Sequence, residues 1–547
     1  MYLQSDPLSC VSCTAFLVGE SLVMEGIMAI NPIVVTAIIF IYIIAIIFLG
    51  YIGYRKTKAS EDFLVAGRRI HPILLGLSYG ATFISTSAIV GFGGIAAQLG
   101  MSLIWLTVLC VIVGVLIAFV VFGEKTREIG SRLQAVTYPD LMGKCYNSAT
   151  MRRIACAIII AGMPIYTAAI LIGGARFIET SLSVQYDVAL LGFAIIVSVY
   201  VILGGLIAVI YTDVMQGVIM FVGMSILLVL SYVHLGGVTA AHSALDAMAN
   251  LVPAALAETG MTGWTSMPVF LSPIWQTVIT TMVLGVGIGV LAQPQLVVRF
   301  LTVKDAASVR RAVMVGGPFI LMMTGVAFTI GPLTNVWFMR EFGMLAVQAA
   351  GGNADSVIPL FITSSMPDIF VVIFMLALLS AAMSTLSSLY HTMGTTIGYD
   401  IGKELFGGQS SMRLIQVGTG CMIVVSTIIA YLMPANIIAR ATVIFMGLCT
   451  AALLPAYAHA MYSPRPSTSA GKASMIVGTI FWLLWTVFVH VKESEPIGLS
   501  KLLFGVPTIS PTWAMVDPIA VALPISALTL ICILAYERVR SGSKGTA

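Results

Sequence analysis

Charge is what this chain has least of: Asp, Glu, Lys and Arg make up 9% of its 547 residues, while 59% are hydrophobic. One soluble core cannot bury that much apolar side chain, so a soluble globular protein is excluded. No basic tract with interleaved aromatics occurs, so nucleic acid is not an expected partner, and the net charge of +4 is read as membrane orientation. Metal-ligand spacing is also missing. Cys110, Cys156, Cys421, Cys449 and Cys532 sit singly in apolar runs and Cys145 stands alone in a loop. Such thiols behave as small apolar residues. Cys10 and Cys13 form a CxxC with no second pair and no nearby His, a weak basis for metal or redox chemistry. Residues 1–31 lack the basic start of a secretory signal. They are either a functional extension or the result of a start that belongs at Met28.

Long apolar runs are abundant. Thirteen candidate spans fall at about 33–54, 72–97, 101–123, 153–175, 187–210, 213–235, 271–296, 312–338, 368–391, 412–433, 438–461, 471–491 and 515–537. With the N-terminus outside, 22 of the 27 Lys and Arg residues lie on the cytoplasmic side, and only Arg176, Arg340, Arg440, Lys492 and Lys501 lie outside. A miscounted span would invert that ledger downstream. The expectation is therefore an all-α polytopic membrane protein in the cell membrane, N-terminus out and C-terminus in. Its three long connections, about 236–270, 339–367 and 492–514, all fall outside as partly ordered caps.

Two spans are interrupted alike. Span 2 carries Gly76-Leu77-Ser78-Tyr79-Gly80-Ala81-Thr82-Phe83-Ile84-Ser85-Thr86-Ser87, and span 7 carries Gly285, Gly287, Gly289 and then Gln293-Pro294. Gly and Pro weaken a helical ladder, and the freed backbone groups need partners other than lipid. Broken helices line binding cavities in transporters, although glycines also serve close helix packing. The interruptions are five spans apart, and five is odd. A second five-helix copy beginning at span 7 is then inverted relative to one beginning at span 2.

Span 9 holds Ala381-Ala382-Met383-Ser384-Thr385-Leu386-Ser387-Ser388, a hydroxyl cluster where lipid-buried helix is otherwise expected. Ala381, Ser384 and Thr385 stand at i, i+3 and i+4 and share a face. They offer two hydroxyls and a carbonyl, the uncharged hard oxygens that suit sodium, and the break in span 2 can add carbonyls. Back-bonding of each hydroxyl one turn earlier is the competing reading. Asp213, at a short turn between spans 5 and 6, is read either as a cap of span 6 or as a gating residue. His391 is read as a packed residue rather than a proton relay. Gly76-Leu77-Ser78-Tyr79-Gly80 matches G-x-S-x-G, but a membrane span offers no strand-to-helix elbow, so enzymatic acyl transfer is not expected.

Several segments in order resemble the sodium:solute symporter family: Glu61-Asp62-Phe63-Leu64-Val65-Ala66-Gly67-Arg68, Tyr138-Pro139-Asp140, Gly204-Gly205 through Thr212-Asp213 with Gln216, Gln293-Pro294-Gln295-Leu296-Val297-Val298-Arg299-Phe300, and Ala381 to Thr385 followed by Asp400. The resemblance runs from about residue 33 to at least 460. It implies a five-plus-five inverted-repeat core of the leucine-transporter type: a peripheral first helix at 32–56, repeat 1 at 72–235, repeat 2 at 271–461, and two peripheral helices with a short tail at 471–547. It implies a sodium site at Ala81, Ile84, Ala381, Ser384 and Thr385. Solute contacts would come from Ser85, Thr86, Tyr166, Gly287 and Gln293. The proline-transporting branch carries an acid where Phe83 stands and aromatics where Val286 and Val290 stand, which argues against proline itself.

The middle thirds of spans 2, 7 and 9 hold no clear charged residue, which disfavours cationic solutes. A small monocarboxylate or amino acid is favoured, with sodium as coupling ion and neither an organic cofactor nor an obligatory protein partner expected. A proton-coupled or uncoupled transporter on the same scaffold is the alternative. A non-transporting solute sensor is a further one, though only about ten residues follow span 13.

Overall fold

The structure is a computed structural model that describes residues 32–182, 184–405, 411–433 and 438–544. The extension expected at 1–31, with Cys10 and Cys13, lies outside them. Among the described residues, eleven helices have the length and hydropathy to cross a membrane, against the thirteen spans expected. We label the principal helices α1 (Pro32–Lys56), α2 (Pro72–Phe83), α3 (Ser87–Arg132), α4 (Ala149–Leu182), α5 (Tyr186–His234), α6 (Pro273–Ala292) and α7 (Pro294–Val297). Then come α8 (Ala306–Phe342), α9 (Asp368–Thr395), α10 (Met412–Leu432), α11 (Ile438–Tyr462), α12 (Thr468–Phe488) and α13 (Pro518–Lys544).

The two counts part at two glycines. The expected spans 2 and 3 meet inside α3 at Gly100, whose φ of 75° and ψ of −164° are not helical. Spans 5 and 6 are both contained in α5, interrupted at Gly205 with φ 56° and ψ −152°. A straight helix of that length would extend about 74 Å, more than twice a hydrocarbon core of about 30 Å. Gly205 is what breaks it. A side chain there would need a left-handed φ and would put its Cβ 2.5 Å from the Phe63 ring.

Both broken spans divide for local reasons. After α2 the backbone extends at Ile84 (φ −86°, ψ 101°), and the next helix restarts with the Ser85 carbonyl accepting from the Ala88 amide at 3.0 Å. After α6 the chain extends at Gln293 (φ −69°, ψ 118°), as a residue before proline prefers, and Pro294 opens α7 where its missing N–H costs nothing. The segment entering α2 pairs with the one leaving α7, Ile70 N–H donating to the Thr302 carbonyl at 3.1 Å. α2 thus leaves the face that α7 approaches. This is the inverted relation expected of spans 2 and 7.

Burial grades from the centre outward. Within the most apolar window, 83% of the α11 run and 78% of the run containing α9 is buried, against 17% for α1 and for α13. α1 carries exposed Phe40, Ile41, Ile47 and Phe48 on its outer side, as lipid contact requires. Its inner side is tied to α9 by the Tyr42 hydroxyl, 2.9 Å from Ser380 Oγ.

Candidate functional site

The break between α2 and α3 faces the hydroxyl cluster of α9. Ser384 Oγ donates to the Ala81 carbonyl at 2.8 Å, and Thr385 Oγ1 donates to the Thr82 carbonyl at 3.1 Å. Ser384 also lies 3.2 Å from the Ala381 carbonyl. Back-bonding, the competing reading, is therefore not how Thr385 is satisfied and is the longer of two bonds for Ser384. It does describe Ser387 and Ser388, which both donate to the Ser384 carbonyl, at 3.0 and 2.9 Å. Ala81, Ile84, Ala381, Ser384 and Thr385 are all buried. Hydroxyls and carbonyls of α2 and α9 thus converge without a carboxylate, a donor set that a hard monovalent cation can use.

Next to it, a cavity of about 20 Å³ lies among Phe83, Ser85, Val286, Thr442 and Met446, with Phe328 on a further wall. That is room for about one water. Ser85 lines it, and the Tyr166 hydroxyl of α4 interacts with Ser85 while its ring stacks on Phe445 at 5.4 Å. Thr86 is buried with its hydroxyl unpartnered, beside Gly173. Gln293, at the break before α7, accepts from Gln295 through Oε1 at 2.5 Å and keeps a buried Nε2 without an acceptor. Gly287 is different. A Cβ there would stand 2.5 Å from Leu109 Cδ2, so this glycine admits α3 against α6 and packs rather than lines the cavity.

Toward the face where the Lys- and Arg-rich loops lie, a buried ionic network closes the bundle. Arg299, in the turn Val298–Thr302 that extends α7, sends Nη2 to Asp213 Oδ2 at 2.5 Å and to Ser388 Oγ at 2.6 Å, and also contacts Thr82 Oγ1. Ser78 Oγ donates to Asp213 Oδ2 at 2.9 Å, and the Thr82 and Ser388 hydroxyls are 2.9 Å apart. One cluster therefore ties α2, α5, α7 and α9. Beneath it, Tyr79, Phe119 and Phe300 form an aromatic plug with centroids 4.5 to 5.5 Å apart.

Asp213 does not cap a helix start. The chain turns at Gly205, so Asp213 lies two turns into the following helix, where its carboxylate accepts side-chain hydrogen bonds. Arg299 likewise points into the bundle, although the charge ledger counts it with a cytoplasmic loop. Sequence reasoning missed Arg299, Ser78 and Thr82 as site residues. The available signal was an arginine a few residues past a broken span, together with an acid inside the apolar run that follows Gly205.

On the opposite face a vestibule of about 490 Å³ opens above the small cavity, bordered by Gln98, Thr281, Asp355, Arg440, Lys492 and Glu493. The long connections supply part of its wall, from the helices Ala254–Glu258, Ala354–Ser365 and Val491–Ile497. Three helices contribute to both spaces one turn apart: Ile95 and Phe92 of α3, Met282 and Val286 of α6, Val443 and Met446 of α11. A single layer of side chains separates vestibule from cavity.

The remaining candidates are structural. His391 Nε2 lies 2.9 Å from the Phe63 carbonyl with its ring packed on Phe63, as expected of a packed histidine. Ser78, the centre of the G-x-S-x-G match, lies within helix α2 and belongs to the Asp213 network.

Comparison with known proteins agrees with this architecture. The chain is 25% identical over 454 residues to the osmoregulated proline transporter OpuE of Bacillus subtilis, covering 81% of this chain and 87% of that one. It is 26% identical over 475 residues to the sodium/pantothenate symporter of Haemophilus influenzae, covering 83% and 92%. Among solved structures, a Na+-coupled sialic acid symporter in a substrate-bound outward-open state superposes with a TM-score of 0.70 at 17% identity, covering 91% of this chain and 95% of that one. The nucleobase-cation-symport-1 family transporter MHP1 superposes with a TM-score of 0.52 at 13% identity, covering 87% and 95%. The fold is thus that of these helical symporters. The sodium:solute symporter family matches residues 63–478, and the chain belongs to that family.

Proposed function

We propose that this protein is a sodium-coupled symporter that accumulates a small organic solute, a monocarboxylate or amino acid, by alternating access. The observation that carries the proposal is the meeting of the Ser384 and Thr385 hydroxyls with the carbonyls at the break after α2. In the proposed ion site, carbonyls of Ala81, Ile84 and Ala381 join those two hydroxyls. The adjoining cavity, lined by Ser85, has room for about one water as it stands and widens to take the solute, with Thr86, Tyr166 and Gln293 as further contacts; the unpartnered Thr86 hydroxyl and Gln293 amide leave hydrogen bonds to be made. The chain crosses the membrane thirteen times, N-terminus outside, with the vestibule facing out.

Coupling follows from how Thr82 is used. Its carbonyl meets Thr385, and its side chain joins the Asp213–Arg299 network. Sodium drawing α2 against α9 stabilises the arrangement in which the inner network is closed and the vestibule open. A ligand moves such an equilibrium only by its different affinity for the two states. No catalytic step is needed, and Asp213 acts as an inner-gate residue.

Uptake into proteoliposomes tests this with labelled monocarboxylates, amino acids and sugars under an inward sodium gradient, then under potassium. One solute is expected to accumulate with sodium alone, and Thr385→Ala is expected to raise the half-saturating sodium concentration at least tenfold. Accumulation that follows a pH gradient and ignores both sodium and Thr385 would move the protein to proton coupling.

A further inference from the structure

We infer that the outer vestibule is a capture site for the carboxylate group of the solute, with Lys492 and Arg440 as its recognition elements. This rests on the proposed symport and adds to it a second, more exposed stop on the solute's path. It also commits the solute to carry a carboxylate.

The vestibule wall carries two acids, Asp355 and Glu493, and two cations, Arg440 and Lys492. Each of its acids has a contact within the protein, although Glu493 Oε2 makes no hydrogen bond. Glu493 contacts His490, and the Asp355 carboxylate accepts from the backbone amide of Ile438 at the start of α11. Its cations are under-used. Among the described residues, the Lys492 ammonium has as side-chain partner only Thr277 Oγ1, at a long 3.4 Å, and no carboxylate within salt-bridge reach. Burial lowers its affinity for the proton, and the Glu493 and Asp517 carboxylates partly oppose this. Arg440 forms an ion pair with Glu493, Nε to Oε1 at 3.7 Å, but its Nε makes no hydrogen bond. An ammonium brings three donors and a guanidinium five, neither with any acceptor. Glu493 Oε2 is also without a hydrogen bond, but the unspent capacity of Lys492 and Arg440 is donor capacity carrying positive charge. A carboxylate, which only accepts, is its complement.

Size and position agree. About 490 Å³ is within the range of small-molecule sites, whereas the inner cavity of about 20 Å³ is closed around no more than a water. Because α3, α6 and α11 line both spaces one turn apart, a solute held at Lys492 and Arg440 has one side-chain layer between it and Ser85. Capture in the wider space raises the local solute concentration at that layer. The two cations come from different parts of the chain, Arg440 from α11 and Lys492 from the cap helix Val491–Ile497. The site thus joins the inverted-repeat core to a connection outside it.

The test is thermal-shift measurement on the full-length protein in detergent at fixed ionic strength, with propionate, pyruvate and L-proline each set against its primary amide. Wild type and Thr385→Ala are both expected to be stabilised by at least one acid and by none of the amides. Lys492→Gln and Arg440→Gln should weaken that apparent affinity at least tenfold, and Lys492→Arg should restore most of it. If no acid stabilises the wild type, or if an amide does so equally, the capture site is overturned. If Lys492→Gln binds the acid as wild type does, it is overturned as well. Uptake assays then separate the two proposals. Acid binding that depends on Lys492 without sodium-driven accumulation would sink the symport reading and leave the vestibule site standing.

Discussion

The Asp213–Arg299 pair sets the energetics of its half of the bundle because both side chains are out of reach of solvent, 0% and 1% exposed. Removing one member of such a pair leaves an uncompensated charge in a low-dielectric bundle, at a cost of about 3–5 kcal/mol, whereas removing both is far milder. Arg299→Gln alone is therefore expected to shorten the half-life of the detergent-solubilised protein at fixed temperature severely. Adding Asp213→Asn should restore most of it. Size-exclusion recovery after heating measures this, and additive losses in the double variant would show that the two residues stabilise the fold independently. The double variant has a second expected property, since its inner network lacks the ionic tie. It should leak solute down its gradient without sodium, which efflux from preloaded vesicles would detect.

At the level of helices, single backbone positions decide where apolar runs bend. Gly205 holds a φ of 56° inside α5, and a Cβ there would enter the Phe63 ring. Gly205→Val is expected to abolish the folded peak in fluorescence-detected size exclusion. Gly192→Ala, in the same helix with nothing within 4 Å of the added Cβ, should leave it unchanged. A profile for Gly205→Val equal to wild type would mean that the turn tolerates another geometry. These elements were largely legible in the sequence, because hydropathy sets the spans and Gln293-Pro294 and the Ile84 region mark the breaks. That Ser384 and Thr385 turn toward the break after α2 was legible as a shared face, since i, i+3 and i+4 positions lie together in any helix. What spacing could not reveal was pairing across the bundle. Asp213 and Arg299 are 86 residues apart, and only the fold brings a residue past one break against a helix past one turn. Gly287 was misjudged for a related reason: a glycine in a broken span serves either a cavity or a neighbour, and the neighbour, Leu109, lies on another helix.

For the molecule as a whole, the proposed ion site between α2 and α9 sits between one open space and one sealed one. The vestibule of about 490 Å³ is open on one face, while Arg299, Asp213 and the Tyr79–Phe119–Phe300 plug close the other. Alternating access requires these to exchange, and α2 and α7, each cut from its outer half by a break, are the elements free to swing as short units. Sodium at the proposed site would bridge α2 to α9 and oppose that swing, so the expected bias is toward the arrangement with the vestibule open. Single cysteines in a cysteine-free background report this through their rate of reaction with a membrane-impermeant thiol reagent. Val443→Cys in the vestibule wall is expected to react faster with sodium than with potassium. Thr302→Cys, buried at the end of the turn that extends α7 on the side the proposed topology places inside, is expected to be slowed by sodium in inside-out vesicles. Both effects should vanish in Thr385→Ala, because the proposed ion site is their common cause. Rates that rise or fall together at the two positions would mean that sodium loosens or tightens the whole bundle rather than exchanging its openings. Rates indifferent to sodium at both positions would place the coupling elsewhere than at α2 and α9.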